Sequence, residues 1–157
     1  DFMIGFAHTA EVGEGIIAQP IWRDALVIAV PARHELLAHK EVPLHELDSH
    51  PLVLCDPRVC EGYCRVLARL LGPLEHRQNV VERATSLEMM LTLVGAGYGV
   101  GFMAASKVPV SQRPDVVVRP LAVESAVITT YLLRSDSGDV TASLERFIFR
   151  LREGLGT

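Results

Sequence analysis

The chain has 157 residues, with 15 Lys and Arg against 19 Asp and Glu, so its formal net charge is −4. Apolar residues make up 49% and charged residues 22%, which is typical of a soluble globular domain and too apolar for a disordered protein. The acidic balance lacks the basic footprint of a free-standing nucleic-acid binder, and no run of about 18 apolar residues could span a membrane.

The first third of the chain predicts strands and one short helical turn. The segment 25–30 (ALVIAV) is a continuous apolar run closed by Pro31, which is typical of a strand buried on both faces. The apolar run before it, 16–21, is itself interrupted by Gln19-Pro20. The predicted elements are strands at 2–6, 16–21, 25–30 and 51–55 and a helical turn at 44–47.

Three helices are predicted in the remainder. Asp56-Pro57 would open the first, because Asp accepts from free N–H groups and Pro tolerates the first helical position, and Gly72 and Pro73 would end it. The second spans 85–96, where Thr85 and Glu88 form a predicted capping box. The third is amphipathic and spans 139–152. Strands are predicted at 79–82, 100–103, 116–118 and 126–133.

Helices and strands therefore alternate, the loops are short, and the strands are apolar throughout. This pattern indicates an α/β fold with a mostly parallel sheet. Such sheets bind ligands at the carboxyl ends of their strands, where helix N-termini also point. The residues that follow Phe6, Cys55 and Glu82 are therefore the first candidates for a binding site.

No catalytic or metal-binding motif has the spacing that its chemistry requires. The run 97–101 (GYGVG) follows a helix rather than a strand and has its third glycine at the wrong offset, so it predicts a helix stop and a tight turn. The segment His34-Glu35…His39 is similar to a zinc-protease helix motif, but its second His lies five residues after the first instead of four. A solvated loop is therefore the preferred interpretation. With no paired acids and no nucleophile elbow, the sequence predicts no enzyme, no metal and no cofactor.

Three cysteines, Cys55, Cys60 and Cys64, lie close together in the sequence. An odd and small number favours a reducing compartment over a disulfide framework. Cys60 and Cys64 share one face of the predicted helix, and the dipole at its start favours the Cys60 thiolate. Packing as small hydrophobic side chains is the preferred interpretation, and redox sensing through Cys60 with Cys64 is the alternative.

Four stretches, taken in order, resemble the effector-binding (regulatory) domain of LysR-type transcriptional regulators. They are GIIAQPIWRDALVIAVPARHELLAHKEVPLHELDSHPLVLCD, VERATSLEMMLTLVGAGYGVGFMAAS, DVVVRPL and AVITTYLLRSDSGDVTASLERFIFRL. The single motifs are loose, but their order and spacing are specific, and the resemblance covers nearly the whole chain.

The resemblance implies two periplasmic-binding-protein-like α/β subdomains with mixed, mostly parallel sheets, joined by two crossover segments. Subdomain I would comprise residues 1–24 and 119–157, and subdomain II residues 25–118. The chain begins without Met inside an apolar run, so we expect subdomain I to be incomplete, and the helix-turn-helix that reads DNA to lie upstream of Asp1. The net acidic charge then belongs to the sensing part alone.

The same resemblance implies a small-molecule effector bound in the cleft between the subdomains, with a small anion predicted near Arg58. The family's cleft positions map here onto polar or turn residues that follow strands, and onto Val100 and Phe102 after the glycine turn, for which packing in the core is the preferred interpretation. These positions are His8, Arg58, Val59, Cys60, Thr85, Ser86, Val100 and Phe102. We expect the full-length protein to be a cytoplasmic homodimer or homotetramer that meets DNA through its helix-turn-helix and has no membrane partner.

Two alternatives share this architecture. One is a peroxide-type thiol sensor, since the family's peroxide sensor carries its reactive cysteine on the same turn as Cys60. In that sensor, however, a His stands where this chain has Val59, and the partner cysteine lies farther along than Cys64. The other alternative is a periplasmic solute-binding protein, and an α/β enzyme is the least supported reading.

Overall fold

The computed structural model describes residues 4–72, 79–136 and 141–153. Within these ranges the chain forms seven β-strands, three α-helices and three short 3-10 helices. The strands are β1 (Ile4–Ala7), β2 (Ile16–Pro31), β3 (Pro51–Cys55), β4 (Asn79–Ala84), β5 (Gly101–Ala104), β6 (Val116–Pro120) and β7 (Val127–Ser135). The helices are α1 (Glu61–Leu71), α2 (Leu87–Gly95) and α3 (Ala142–Glu153), and the 3-10 helices are Glu35–Ala38, Leu44–Ser49 and Ala105–Val110.

The chain divides into two compact units. Unit 1 consists of Asp1–Arg23 and Thr129–Thr157, and unit 2 is Asp24–Ile128. The first crossing lies one residue from the predicted position, but the second lies within β7 rather than after Val118. The segment 119–128 stays with unit 2 because β6 pairs with the second half of β2 and Leu26 N donates to the Ala126 carbonyl.

Unit 2 is built on a mixed sheet. β3 and β4 are parallel, and a parallel bridge from Leu52 to Val100 connects them to β5. β5 and β6 flank the second half of β2, and both run antiparallel to it. The mixed α/β class is confirmed, but the parallel share is smaller than predicted. The unbroken apolar run 25–30 of β2 reflects burial on both faces, and such burial does not indicate strand direction.

Side chains of β2 alternate between two hydrophobic clusters on the two faces of this sheet. Leu26, Ile28 and Val30 pack with residues of α1, β3 and the first two 3-10 helices. Val27 and Ala29 pack with residues of α2 on the opposite face. The helices thus cover both sides of the sheet, and the carboxyl ends of β3 and β4 are left at one edge of it.

In unit 1, β1 pairs antiparallel with β7, which neighbours β2. The prediction of two separate strands at 16–21 and 25–30 is wrong, since both belong to β2, which also runs through Gln19-Pro20. Along this half, β2 has β7 as its neighbour among the described strands, and a proline is tolerated on such an edge because it has no N–H to give. The predicted strand positions 2–3 and helix positions 139–140 lie outside the described residues.

The glycine run ends α2, as the sequence predicts. Tyr98 N donates to the Leu93 carbonyl and Gly97 N to the Val94 carbonyl, which is the bonding of a Schellman motif. Gly97 has a φ of 83°, the left-handed conformation this motif requires. A Cβ at Gly99 would collide with the Pro51 carbonyl, so that glycine allows β3 and the start of β5 to approach closely.

Candidate functional site

The turn after β3 is organised by Asp56, which is buried with 5% of its surface exposed. Its Oδ1 accepts from the backbone N–H of Arg58 at 2.9 Å, and its carbonyl oxygen accepts from the N–H groups of Val59 and Cys60 at 3.0 Å each. These bonds close a tight turn instead of a helix. The predicted helix start at Asp56-Pro57 is therefore wrong: α1 begins at Glu61, and Cys60 is its N-cap residue.

Arg58 already has a carboxylate partner in this turn. Its Nε donates to both oxygens of Asp56 at 3.1 Å, and its Nη2 donates to Oδ2 at 2.6 Å. These bonds lower the pKa of Asp56 to about 2. The Arg58 side chain nevertheless remains 87% exposed, so its outer face is open to a ligand while part of its charge is balanced by Asp56.

The turn after β4 leads into α2 through Ser86. The Ser86 Oγ accepts from the Met89 N–H at 3.1 Å, so Ser86 is the N-cap of α2, and the predicted capping box on Thr85 is wrong. Both residues can cap a helix, and the backbone places Ser86 in the extended conformation that a cap adopts. Thr85 is exposed, and its Oγ1 contacts the Met89 Sδ at 3.8 Å.

These two turns lie side by side because β3 and β4 are parallel neighbours. Cys55 is in register with Ala84, and the Asp56 N–H donates to the Ala84 carbonyl at 2.9 Å. Arg83 Nη1 reaches the Cys55 carbonyl at 3.2 Å. The structure thus brings Arg58, Val59 and Cys60 to the same edge of the sheet as Thr85 and Ser86. All five are exposed, and the N-termini of α1 and α2 begin there.

The remaining predicted site residues are placed differently. Val100 is fully buried and Phe102 is 4% exposed, and both belong to the hydrophobic core under β2, so they are packing residues. His8 lies in unit 1, half-buried after β1, with its Nδ1 3.5 Å from the Thr130 hydroxyl. It is a polar residue after a strand, as predicted.

The cysteine pair differs from the predicted one. The Sγ atoms of Cys55 and Cys64 lie 2.6 Å apart, and both residues are half-buried. Cys60, the cysteine for which redox sensing was the alternative prediction, is exposed. Burial and the neighbouring Cys64 raise the pKa of Cys55. The sequence spacing pointed to Cys60 with Cys64 because they share a helical face, whereas the contact depends on how α1 packs on β3.

The sequence patterns did not predict a second polar cluster, which His34, Glu35 and His50 form. The buried His50 ring packs edge-on against His34 at 4.8 Å, and its Nδ1 lies 3.7 Å from the Glu35 carboxylate. His34 Nδ1 accepts from the Leu36 N–H, and burial lowers the pKa of His34. His34 therefore caps the 3-10 helix instead of lying in a solvated loop. Within residues 4–72, 79–136 and 141–153, no group of three or more His, Cys, Asp or Glu side chains is placed to hold a metal ion.

Comparison with protein-family models matches residues 1–156 to the family described as LysR substrate binding domain. The chain belongs to that family. The periplasmic-binding-protein-like α/β fold predicted from the LysR resemblance is confirmed. None of the helices in the described part of the LysR domain has the length and apolar character needed to cross a bilayer.

Individual relatives agree with the family assignment. The LysR domain is 26% identical over 161 residues to the Hca operon transcriptional activator HcaR of Escherichia coli K12, and this match covers 94% of the chain and 52% of HcaR. HinK, a LysR family transcriptional regulator from Pseudomonas aeruginosa, superposes with a TM-score of 0.80 at 20% identity over 98% of the chain and 53% of HinK. The chain spans about half the length of both proteins.

A third relative is an isolated effector domain. The effector binding domain of QuiR in complex with shikimate gives a TM-score of 0.81 at 15% identity, covering 97% of this LysR domain and 72% of the QuiR chain. At this identity the likeness shows the fold alone.

Proposed function

We propose that this domain senses a small-molecule effector on behalf of a LysR-type regulator that binds DNA through a helix-turn-helix outside these residues. The family match over residues 1–156 carries this proposal. The relatives are transcriptional regulators, which supports a role without catalysis and does not favour a solute-binding protein or a Cys60-based peroxide sensor. A cytoplasmic homodimer or homotetramer is the assembly we propose for the whole protein.

Within unit 2, we place the effector contacts at the edge formed by the turns after β3 and β4. The bond between Asp56 N and the Ala84 carbonyl supports this, because it holds Arg58–Cys60 beside Thr85 and Ser86. Helix N-termini present N–H groups that favour negative charge, and the exposed guanidinium of Arg58 adds a cation. A small carboxylate is the effector class that this edge suits. For unit 1, taken by itself, we propose His8 as an effector-binding residue.

Amide chemical shifts of the ¹⁵N-labelled chain test the site. Shikimate, the ligand named in the QuiR structure, serves as the carboxylate probe and its methyl ester as the neutral control. We expect shikimate to shift amides at 58–60 and 85–87, and Arg58→Gln to weaken its binding about tenfold, the amount that loss of one charged hydrogen bond produces. The methyl ester should bind weakly to both the unmodified chain and Arg58→Gln.

Arg65→Gln is the matched control, since Arg65 is an exposed arginine of α1 that bonds Glu61 at 2.6 Å, one turn farther along the helix. Its affinity for shikimate should equal that of the unmodified chain. Equal binding by Arg58→Gln would refute the anionic contact, and shifts confined to other parts of unit 2 would refute the site at this edge.

A further inference from the structure

Two thiols meet at the junction of β3 and α1. Cys55 is the last residue of β3 and Cys64 lies in the first turns of α1, so nine positions of sequence are folded back to bring their Sγ atoms within 2.6 Å. Cys64 Sγ also donates to the Cys55 carbonyl oxygen at 3.4 Å, which fixes the side chain of Cys64 toward the strand. The pair is therefore held by the packing of helix on strand.

We propose that Cys55 and Cys64 form a reversible intrachain disulfide, a modification site separate from the effector site. A disulfide needs its sulfur atoms about 2.05 Å apart, so the bond closes with a small adjustment. A bound metal ion would need more room: with zinc–sulfur bonds of about 2.3 Å, two thiolate ligands of one ion stand well over 3 Å apart. The contact thus fits a covalent bond between the sulfurs and not a metal bridge.

The oxidant is a low-molecular-weight disulfide, and the reaction is thiol–disulfide exchange. Cys64 loses its proton and its sulfur bonds to one sulfur of the oxidant, forming a mixed disulfide. The oxidant's S–S bond breaks, and its other half leaves as a thiolate that takes up that proton. Cys55 then loses its proton and attacks the Cys64 sulfur of the mixed disulfide, and the second small thiol leaves. Two protein thiols are oxidised and one small disulfide is reduced to two thiols, so atoms and electrons balance.

The order of attack follows from the environment of the two sulfurs. The raised pKa of Cys55 keeps it as a thiol, which makes it the second and slower nucleophile. Cys64 borders a cavity of about 160 Å³ whose wall also includes Leu67, Val80 and Arg83. A small neutral disulfide can approach Cys64 from this side, and the reaction leaves Cys60 as a free thiol.

Oxidation of the native 157-residue chain by 2-hydroxyethyl disulfide tests the proposal. Three cysteines allow three pairings, and peptide mapping after alkylation distinguishes them. In the folded chain we expect a mass loss of about 2 Da, a Cys55–Cys64 linkage and an alkylated Cys60, all reversed by dithiothreitol. In 8 M urea, where only sequence distance governs pairing, Cys60–Cys64 and Cys55–Cys60 linkages should also form.

Cys60→Ser is the matched variant and should lose about 2 Da at the native rate. Cys55→Ser and Cys64→Ser should not form an internal disulfide while folded. If the folded chain instead links Cys60 to either partner, or keeps all three thiols alkylatable, the proposal is wrong. None of these readouts involves an effector, so they stand or fall independently of the proposed function.

Discussion

At the scale of single residues, Asp56 determines the shape of the turn that carries Arg58, Val59 and Cys60. Its carboxylate is bonded by the backbone and the guanidinium of Arg58, and its own backbone joins β4. An Asp-Pro pair after a strand is a common helix start, and the sequence supports that local choice. The helix does not begin at Asp56 because the Arg58 guanidinium binds the same carboxylate. A prediction from helix-capping patterns does not include that contact.

Asp56→Asn should lower the free energy of unfolding at pH 7, because the amide loses the charged bonds to Arg58. The pKa of Asp56 falls from 3.8 to about 2 in the folded chain, so the unfolded chain binds the proton more tightly. The stabilisation is complete above about pH 4 and is lost as the pH falls toward 2. Urea denaturation should therefore show that the difference in free energy of unfolding between Asp56→Asn and the unmodified chain becomes smaller as the pH falls from about 4 to 2.

Glu41→Gln provides the control for that titration, since Glu41 is exposed. Its free energy of unfolding should follow that of the unmodified chain across the same pH range. A gap for Asp56→Asn that stays constant between pH 4 and pH 2 would contradict a stabilising charge on Asp56.

At the scale of elements, the register of helix packing decides what local patterns leave open. The type and order of the strands and helices could be predicted from apolar runs and breakers, except that two predicted strands form the single strand β2. The carboxyl edge of β3 was identified as a site candidate in the same way. The Cys55–Cys64 contact could not be predicted from the sequence, because it depends on where α1 crosses the end of β3. Val100 and Phe102 lie in the hydrophobic core, which is the packing role that their place after the glycine turn favours.

The start of α2 offers a test of which residue caps the helix. Ser86→Ala removes the acceptor for the Met89 N–H and should lower the free energy of unfolding by about 1 kcal/mol. Thr85→Ala removes only an exposed hydroxyl and should change it by less than about 0.5 kcal/mol. Chemical denaturation of both variants gives the comparison, and the reverse order of effects would reinstate the capping box on Thr85.

At the scale of the whole molecule, the described core is unequally divided. Unit 2 carries both hydrophobic clusters, and the β2 segment 26–30 contributes to each, with every residue 8% exposed or less. In the described part of unit 1 the buried side chains are Thr130, Leu132 and Leu144. On α3, Phe147 and Phe149 are 41% and 59% exposed. Local stability should follow this division, because opening a region costs the apolar surface it exposes.

Native-state hydrogen exchange measures that division directly. The amides of 26–30 should exchange only when the chain unfolds globally, and those of α3 at least about a hundredfold faster. Ile28→Ala, at a fully buried position, should cost about 2–5 kcal/mol and speed exchange throughout 26–30, whereas Phe149→Ala should leave these rates unchanged. Equal protection of α3 and β2 would mean that the small buried set of unit 1 is as stable as the two clusters of unit 2. Stability would then not follow the buried apolar surface of each unit.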